Sequence, residues 1–310
     1  MNIVIIGDFS ETSKERIVGQ FPSEWRVTIG TAKETDPGLA EAEVIIPEHV
    51  MVDGPFLDRA HKLRLVQTGS GFDNVVIPEC TQRGIYVANA AGVNTTAVAE
   101  HVLTFIFCWH KAVIRLDGML KRGEYCFDYT GSEVSGKTLG IIGMGNVGKA
   151  VACRALAFEM KVLGYDIRPV EVDGGVQMTD METLLRLSDV LTLHCFLNEQ
   201  TRHMIGRREL DSMKPSAFLI NTSRGPIVDE AALTEALQTK KIAGAGLDVF
   251  EKEPLPQESP LRKMENVILT PHTAGTPEGL RFHKKRYAYF LENILRVSQG
   301  KVPLNALNQF

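Results

Sequence analysis

Residues 138–148 read Thr-Leu-Gly-Ile-Ile-Gly-Met-Gly-Asn-Val-Gly, an apolar strand running straight into a Gly-x-Gly-x-x-Gly turn, and no other stretch constrains the fold as much. Such a turn binds a dinucleotide pyrophosphate. Gly143 permits the tight turn, Gly145 keeps a Cβ out of the way of the phosphates, and Gly148 lets the next helix pack close to the strand. Asn146 and Val147 then open a helix whose N-terminus receives the phosphates. A glycine-rich turn alone is weak evidence, and the surroundings strengthen it. Val147, Val151, Ala155 and Phe158 keep helical spacing, and a second strand, Met160 to Tyr165, ends in Asp166, 166 − 148 = 18 residues past the last glycine. An acidic residue there hydrogen-bonds the adenosine ribose hydroxyls and repels a 2′-phosphate, so NAD is expected rather than NADP. Arg168, which could neutralise Asp166 or reach a 2′-phosphate, reads more simply as a solvated surface charge.

The turn lies near residue 145 of 310, so another unit folds ahead of it, and the length suits two domains. A strand at Ile3 to Ile6 and apolar runs at Val44 to Ile46 and Leu63 to Val66 alternate with helix-like segments, as in a small α/β unit of flavodoxin type. Gly7 lacks partner glycines and predicts no second nucleotide site. The chain is expected to change domain within the helical stretches Thr95 to Leu116 and Pro277 to Arg296.

A net charge of −4 suggests no nucleic-acid surface. Cys80, Cys108, Cys126, Cys153 and Cys195 show no Cys-x-x-Cys spacing, and their odd number argues against a disulfide framework. A cytoplasmic, reducing location is expected. The first residues read as a strand without a basic leader, and the longest apolar run, Val102 to Trp109, is too short to span a bilayer, so neither export nor a membrane anchor is expected.

Three later segments carry polar groups at strand ends. Ala217 to Ile220 leads into Asn221-Thr222-Ser223-Arg224-Gly225, after which Asp229 can cap a helix containing Leu233 and Leu237. Open α/β sheets bind ligands at that edge, and the planar fork of Arg224 suits the carboxylate and adjacent carbonyl of a 2-keto acid. The strand Ala243 to Phe250 leads to Glu253, and Asn266 to Thr270 leads to Pro271-His272. Reducing a ketone by hydride leaves an alkoxide that needs a proton. A histidine supplies one near neutral pH when a carboxylate steadies its charged form, which makes His272 and Glu253 the candidate pair. Adjacent His194 and Cys195 point to opposite faces of a strand, and no metal is expected.

With these residues in view, the chain resembles the D-isomer-specific 2-hydroxyacid dehydrogenases over nearly its whole length. Gly69-Ser70-Gly71-Phe72-Asp73-Asn74, Asn94 to His101, the glycine turn with Asp166, Asn221 to Asp229, Gly246 to Pro254 and Thr270-Pro271-His272 carry the likeness. It implies two doubly wound parallel-sheet domains, with a Rossmann NAD-binding domain (97–283) inserted into a flavodoxin-like substrate domain (1–96 and 284–310). It implies that Arg224 binds substrate, His272 is the acid/base and Glu253 its partner. Thr96, Thr222, Asp248, Ala274 and Gly275 are implied as cofactor contacts near the nicotinamide, and the amides of Ser70 and Gly71 as a second grip on the substrate carboxylate. His194-Cys195-Phe196 stands where members usually carry His-x-Pro-Leu, which puts His194 on the adenine side and makes Phe196 a departure. Residues 111–137 correspond to the arm through which members form homodimers.

The resemblance implies interconversion of a small 2-keto acid and its D-2-hydroxy acid. The turn Ile45-Ile46-Pro47-Glu48-His49-Val50 carries no guanidinium and one carboxylate, a poor site for a phosphate, so glyoxylate, hydroxypyruvate or another unphosphorylated acid is favoured. Arg64 or Arg281 could still swing in, which keeps a D-3-phosphoglycerate dehydrogenase as the alternative. A non-catalytic NAD(H)-sensing corepressor is a second alternative. No regulatory domain is expected beyond Phe310.

Overall fold

The computed structural model describes residues 1–48, 50–125, 127–172, 174–276 and 282–310. His49, Cys126, Arg281 and the expected helix start at Pro277 therefore lie outside the described residues. The chain divides into two compact units, Met1–Asn94 with Thr276–Phe310, and Thr95–Gly275. The second boundary falls earlier than the 283/284 division read from the sequence. Phe282, Tyr287 and Phe290 explain this, because their rings pack into the core of the first unit.

In the first unit, strands β1 (Asn2–Ile6), β2 (Arg26–Gly30), β3 (Val44–Pro47), β4 (Leu65–Thr68) and β5 (Tyr86–Asn89) form one sheet in the order β2-β1-β3-β4-β5. Every neighbouring pair is parallel. That is the flavodoxin-type order. A sheet covered on both faces needs near-continuous apolar strands, and β1 and β3 supply them. Ile3 and Ile5 enter one core with Val44 and Ile46, whereas Val4 and Ile6 enter the opposite core with Ile45 and Val66. β4 begins at Leu65, two residues later than the apolar run suggested, because Leu63 packs as a loop residue in the second of these cores. Inside β4, buried Gln67 accepts a hydrogen bond from Asn293 Nδ2 at 2.7 Å and donates to Ala88 O at 3.2 Å. This anchors helix Lys284–Ser298 to β4.

In the second unit, β6 (Thr138–Ile142), β7 (Lys161–Tyr165), β8 (Val176–Met178), β9 (Val190–Leu193), β10 (Phe218–Asn221), β11 (Gly244–Leu247) and β12 (Val267–Leu269) form a seven-stranded sheet. Its order, β12-β11-β10-β9-β6-β7-β8, reverses between β6 and β9. This is the Rossmann arrangement with a seventh strand at one edge. Residues alternate here too: Leu139 and Ile141 face one core, while Ile142, Leu191 and Leu193 face the other. β11 ends at Leu247, short of the expected Phe250, since the backbone turns away at Asp248.

Two helices depart from the sequence pattern. Helix Asn146–Ala157 buries Val151 and Ala155 completely but stops before Phe158, which is 44% exposed and stacks edge-on against Phe107. The helical stretch Thr95 to Leu116 is two helices, Thr95–His110 and Val113–Lys121, bent by 56° at a break where Ala112 adopts φ 51°. Among the described residues, no single helix is long and apolar enough to cross a membrane.

The junction of β6 with helix Asn146–Ala157 depends on a missing side chain. A Cβ on Gly148 would lie 2.1 Å from the Gly143 carbonyl oxygen and 3.3 Å from an Ile141 methyl carbon. Neither the turn backbone nor the fully buried Ile141 has room to yield. Gly148→Ala is therefore expected to cost about 1–3 kcal/mol of stability, read as a lower urea midpoint at unchanged m-value.

Candidate active site

The second unit builds its chemistry at the carboxyl edge of its sheet. After β6, Gly143 takes φ +95°, a left-handed conformation that L side chains rarely adopt, and its amide donates to Tyr165 O at 2.8 Å. A Cβ there would also lie 2.7 Å from the Cys195 amide. Gly145 differs in kind. Its backbone is ordinary for any residue, and a Cβ would meet nothing within 4 Å. The space in front of the helix that begins at Asn146 is thus open, as a phosphate cradle requires. Val147 is half-buried on that first turn.

Asp166, at the end of β7, has a side chain only 9% exposed. Its Oδ2 accepts the Met144 amide at 2.9 Å and its Oδ1 the Arg168 amide at 3.1 Å. These bonds tie it to the glycine turn and leave further lone pairs for ribose hydroxyls. The Arg168 side chain is 75% exposed, with Nε 3.9 Å from the carboxylate, in keeping with a solvated charge. His194 borders the same turn through its amide, which donates to Ile142 O at 2.7 Å. Its ring faces Thr192 Oγ1 at 3.0 Å, and burial pushes its pKa down to about 3, so the imidazole is neutral. Burial pushes the adjacent Cys195 thiol up to about 11 and makes it a poor nucleophile. Phe196 is 59% exposed.

β10 delivers Arg224. Asn221 braces the loop, donating through Nδ2 to Arg224 O at 2.9 Å and accepting the Ser223 amide at 3.1 Å. Arg224 is extended and half-buried, with Nη1 donating to Ser223 O at 2.8 Å. The next residue must be glycine, because a Cβ on Gly225 would lie 1.9 Å from the Phe250 carbonyl carbon. Asp229 then caps helix Glu230–Gln238 by accepting the Ala232 amide. The Thr222 hydroxyl is buried with no partner among the described residues, and so is that of Thr95. Buried orphan hydroxyls at such an edge suit a bound ligand. Thr96, beside Thr95 in the first turn of its helix, is exposed.

His272 and Glu253 meet. Nδ1 of His272 lies 2.7 Å from Glu253 Oε2, and Glu253 Oε1 accepts the Phe250 amide at 3.1 Å. The side chains are 30% and 32% exposed, within reach of a ligand. His272 adopts φ +54°, which costs a non-glycine residue about 1–2 kcal/mol, and a buried carboxylate over-determines it. Asp248, 1% exposed, accepts Thr270 Oγ1 at 2.6 Å, the Thr273 amide at 2.8 Å and the Ala274 amide at 2.9 Å. The Asp248 carbonyl accepts the His272 amide at 2.8 Å. Each Asp248 carboxylate oxygen is thus engaged by the 270–274 loop, and Oδ2, with a single donor, keeps a lone pair for the expected cofactor contact. The Thr270 hydroxyl gives its one proton to Asp248, so His101 Nε2, 3.0 Å from the same oxygen, must be a donor. Burial holds this imidazole below the usual histidine range, against the pull of Asp248. Spacing could not have paired His101 with Thr270, because 169 residues separate them. Ala274 is buried and Gly275 half-buried at the end of this loop.

In the first unit, the turn after β4 has its carbonyls occupied. Gly69 O accepts the Ala90 amide at 2.9 Å and Ser70 O accepts Asn89 Nδ2 at 3.1 Å, while Ser70 Oγ donates to Asn94 Oδ1 at 2.8 Å. The amides of Ser70 and Gly71 have no acceptor among the described residues, which gives the turn the polarity of an anion site. Arg64 points elsewhere, with Nη2 on Val297 O at 2.6 Å. Another guanidinium reaches this region instead: Arg286, 238 residues from Glu48, forms an ion pair with it. No group of three or more potential metal ligands occurs among the described residues.

The open space at Gly145 and the orphan Thr222 hydroxyl are what a dinucleotide with its nicotinamide end near β10 would use. Gly145→Ala should separate binding from folding: its Cβ meets no protein atom, so urea stability should hold while NADH affinity, read by fluorescence titration, falls at least tenfold. Equal affinity in the variant would remove the phosphates from this turn.

A family model described as the NAD binding domain of the D-isomer specific 2-hydroxyacid dehydrogenases matches residues 103–274. The glyoxylate reductase of Korarchaeum cryptofilum is 42% identical over 267 residues, covering 83% of this chain and 80% of that protein. Among solved structures, a Thermus thermophilus protein superposes with a TM-score of 0.88 at 30% identity, covering 99% of this chain and 100% of its own. The D-lactate dehydrogenase of Aquifex aeolicus, complexed with NAD and lactic acid, does so with a TM-score of 0.85 at 28% identity, covering 99% of each chain. Both sheets, the glycine turn and these relatives agree, and the chain belongs to the D-isomer-specific 2-hydroxyacid dehydrogenases, an oxidoreductase family with an NAD-binding Rossmann domain.

Proposed function

We propose that the protein reduces a small unphosphorylated 2-keto acid, glyoxylate or hydroxypyruvate in the first instance, to its D-2-hydroxy acid with NADH. The observation that carries this reading is the 2.7 Å contact between His272 and Glu253 at the same sheet edge as the glycine turn. The glyoxylate reductase relative supports the substrate class.

The residues that would hold NAD(H) are Gly143, Gly145, Asn146, Val147 and Gly148 at the pyrophosphate, Asp166 at the adenosine ribose, His194 on the adenine side, and Thr96, Thr222, Asp248, Ala274 and Gly275 toward the nicotinamide. When bound, the nicotinamide supplies the hydride. Arg224 takes the carboxylate and carbonyl oxygen of the keto acid and steadies the charge that develops on that oxygen. Glu253 fixes Nδ1 of His272, so Nε2 is the nitrogen that delivers a proton to the nascent alkoxide. Asp248 acts behind it by keeping the loop in its left-handed conformation. In the first unit, the Ser70 and Gly71 amides supply a carboxylate grip. Because the Asp166 carboxylate is held against the glycine turn, a 2′-phosphate would meet its charge, and NADH is the proposed donor over NADPH.

The test is NADH oxidation at 340 nm with glyoxylate, hydroxypyruvate, pyruvate and 3-phosphohydroxypyruvate, repeated with NADPH. His272→Ala is expected to lower kcat by about 10²–10⁴-fold at nearly unchanged KM, whereas Arg224→Ala should raise KM and lower kcat together. Near-normal turnover in His272→Ala would refute the acid/base assignment, and tight NADH binding without turnover of any keto acid by the unmodified protein would favour the sensor.

We further propose a cytoplasmic homodimer, with the described residues of the 111–137 arm as its contact. Helix Val113–Lys121 buries none of its residues, and Val113, Ile114, Leu120, Tyr125 and Phe127 are each more than half exposed. Apolar surface of that extent calls for a cover. Light scattering at micromolar concentration should give twice the 34.3 kDa chain mass, and Phe127→Asp should shift it toward the monomer; a monomer without the substitution would sink the proposal.

A further inference from the structure

The five-stranded sheet of the first unit has its own reversal of strand order, between β1 and β3. Open α/β sheets take ligands outside the carboxyl ends of the strands at such a point. The chain leaves β1 at Gly7 and β3 at Glu48, and the two are in contact: a Cβ on Gly7 would lie 3.0 Å from Glu48 Cβ. Arg286 reaches the same place from the first turn of helix Lys284–Ser298. Its Nη2 bonds Glu48 Oε1, and the guanidinium lies 5.0 Å from the centre of the Phe290 ring. On its other side it lies against the turn after β4. A Cβ on Gly69 would be 3.2 Å from Nη2, 3.3 Å from Cζ and 3.5 Å from Nε, so the flat guanidinium lies close against the turn backbone and a side chain there would crowd it. The pair thus borders the turn whose Ser70 and Gly71 amides lack acceptors.

The pair is not sealed. Side-chain exposure is 12% for Glu48 and 19% for Arg286. Glu48 Oε2 has no partner among the described residues, nor does Arg286 Nη1, and Arg286 Nε is buried and unpartnered. An ion pair built only to fasten helix to sheet would have its buried donors satisfied, since an unpaired buried N–H is costly. Here a carboxylate with a spare acceptor and a guanidinium with spare donors stand side by side with no net charge. A hydroxyl is their complement, because it donates to one and accepts from the other. A methyl group does neither, and a phosphate or second carboxylate brings negative charge against Glu48.

We propose that Glu48 and Arg286 form the subsite that selects the substituent at C3 of the substrate, and that they take a hydroxyl there, which makes a 3-hydroxy-2-keto acid the preferred substrate class. This rests on the reading above that the Ser70–Gly71 turn grips the substrate carboxylate. The guanidinium lying on Gly69 fixes that turn and places the C3 substituent beside the pair.

The experiment compares kcat/KM at saturating NADH for hydroxypyruvate, pyruvate, glyoxylate and 3-phosphohydroxypyruvate in the full-length protein and in Glu48→Gln and Arg286→Lys. The unmodified protein should prefer hydroxypyruvate over pyruvate by roughly tenfold or more, since a site built to bond a hydroxyl rejects the analogue that lacks it. Glu48→Gln, nearly isosteric, should cut that ratio severalfold, lose less with glyoxylate, which has no C3, and gain in relative rate with the phosphorylated acid. Arg286→Lys keeps the charge but not the plane, and should raise KM for all four acids more than it lowers kcat. Equal use of pyruvate and hydroxypyruvate by the unmodified protein, or an unchanged ratio in Glu48→Gln, would overturn the subsite while leaving the reductase reading intact. Absence of turnover with every acid would overturn both.

Discussion

The Asp248 carboxylate is the interaction on which the rest of the candidate active site depends. A charge at 1% exposure is tolerable only if its hydrogen bonds are made, and Asp248 finds its donors in Thr270, Thr273 and Ala274, which flank His272. The loop that satisfies the carboxylate is therefore the loop that carries the proposed acid/base. Because the His272 backbone is left-handed, the loop would relax toward commoner conformations without that anchor, and the imidazole would move away from Glu253. His101 extends the arrangement to helix Thr95–His110, so a strand end, a short loop and a helix share one network.

Parallel strands supply the setting. In each unit every β–α connection returns the chain to the same end of the sheet, so the polar residues that cannot enter a two-sided apolar sheet collect beyond the carboxyl ends. In the second unit this brings Gly143, Asp166, His194, Arg224, Asp248 and His272 to one edge, although they span 130 residues of sequence. In the first unit the same rule brings Gly7, Glu48 and the Ser70 turn together. Glycine then decides how closely the backbones approach: Gly148 against the turn, Gly225 against Phe250 and Gly69 under Arg286 each occupy a place where a Cβ would collide or crowd a neighbour, whereas Gly145 faces open space. The first three serve packing and the last leaves room for a ligand.

Local patterns were a faithful guide wherever the relevant physics is local. The strand–turn–helix unit at 138–157, the Asp229 cap and the alternation of both sheets follow from neighbouring residues. They failed where a neighbour distant in sequence intervenes. Phe158 keeps the apolar spacing of its helix but lies past its end and packs on Phe107. Leu63 extends an apolar run without belonging to β4, because a core residue need not be a strand residue. The turn Ile45 to Val50 reads as lacking a guanidinium, and within the turn it does; Arg286 arrives from 238 residues away, at a separation no spacing rule covers.

By itself, then, the sequence determined the class of fold, the strand–turn–helix unit with the acidic residue that follows its second strand, and the candidates for the chemistry, because glycine geometry, capping and strand periodicity are properties of a few adjacent residues. The tertiary structure decided which of those residues meet: His272 with Glu253, Asp248 with the loop around His272, and Arg286 with Glu48 beside Gly69. Such pairings depend on how strands are ordered in a sheet and which helix crosses which edge, and that information exists only once distant parts of the chain have packed.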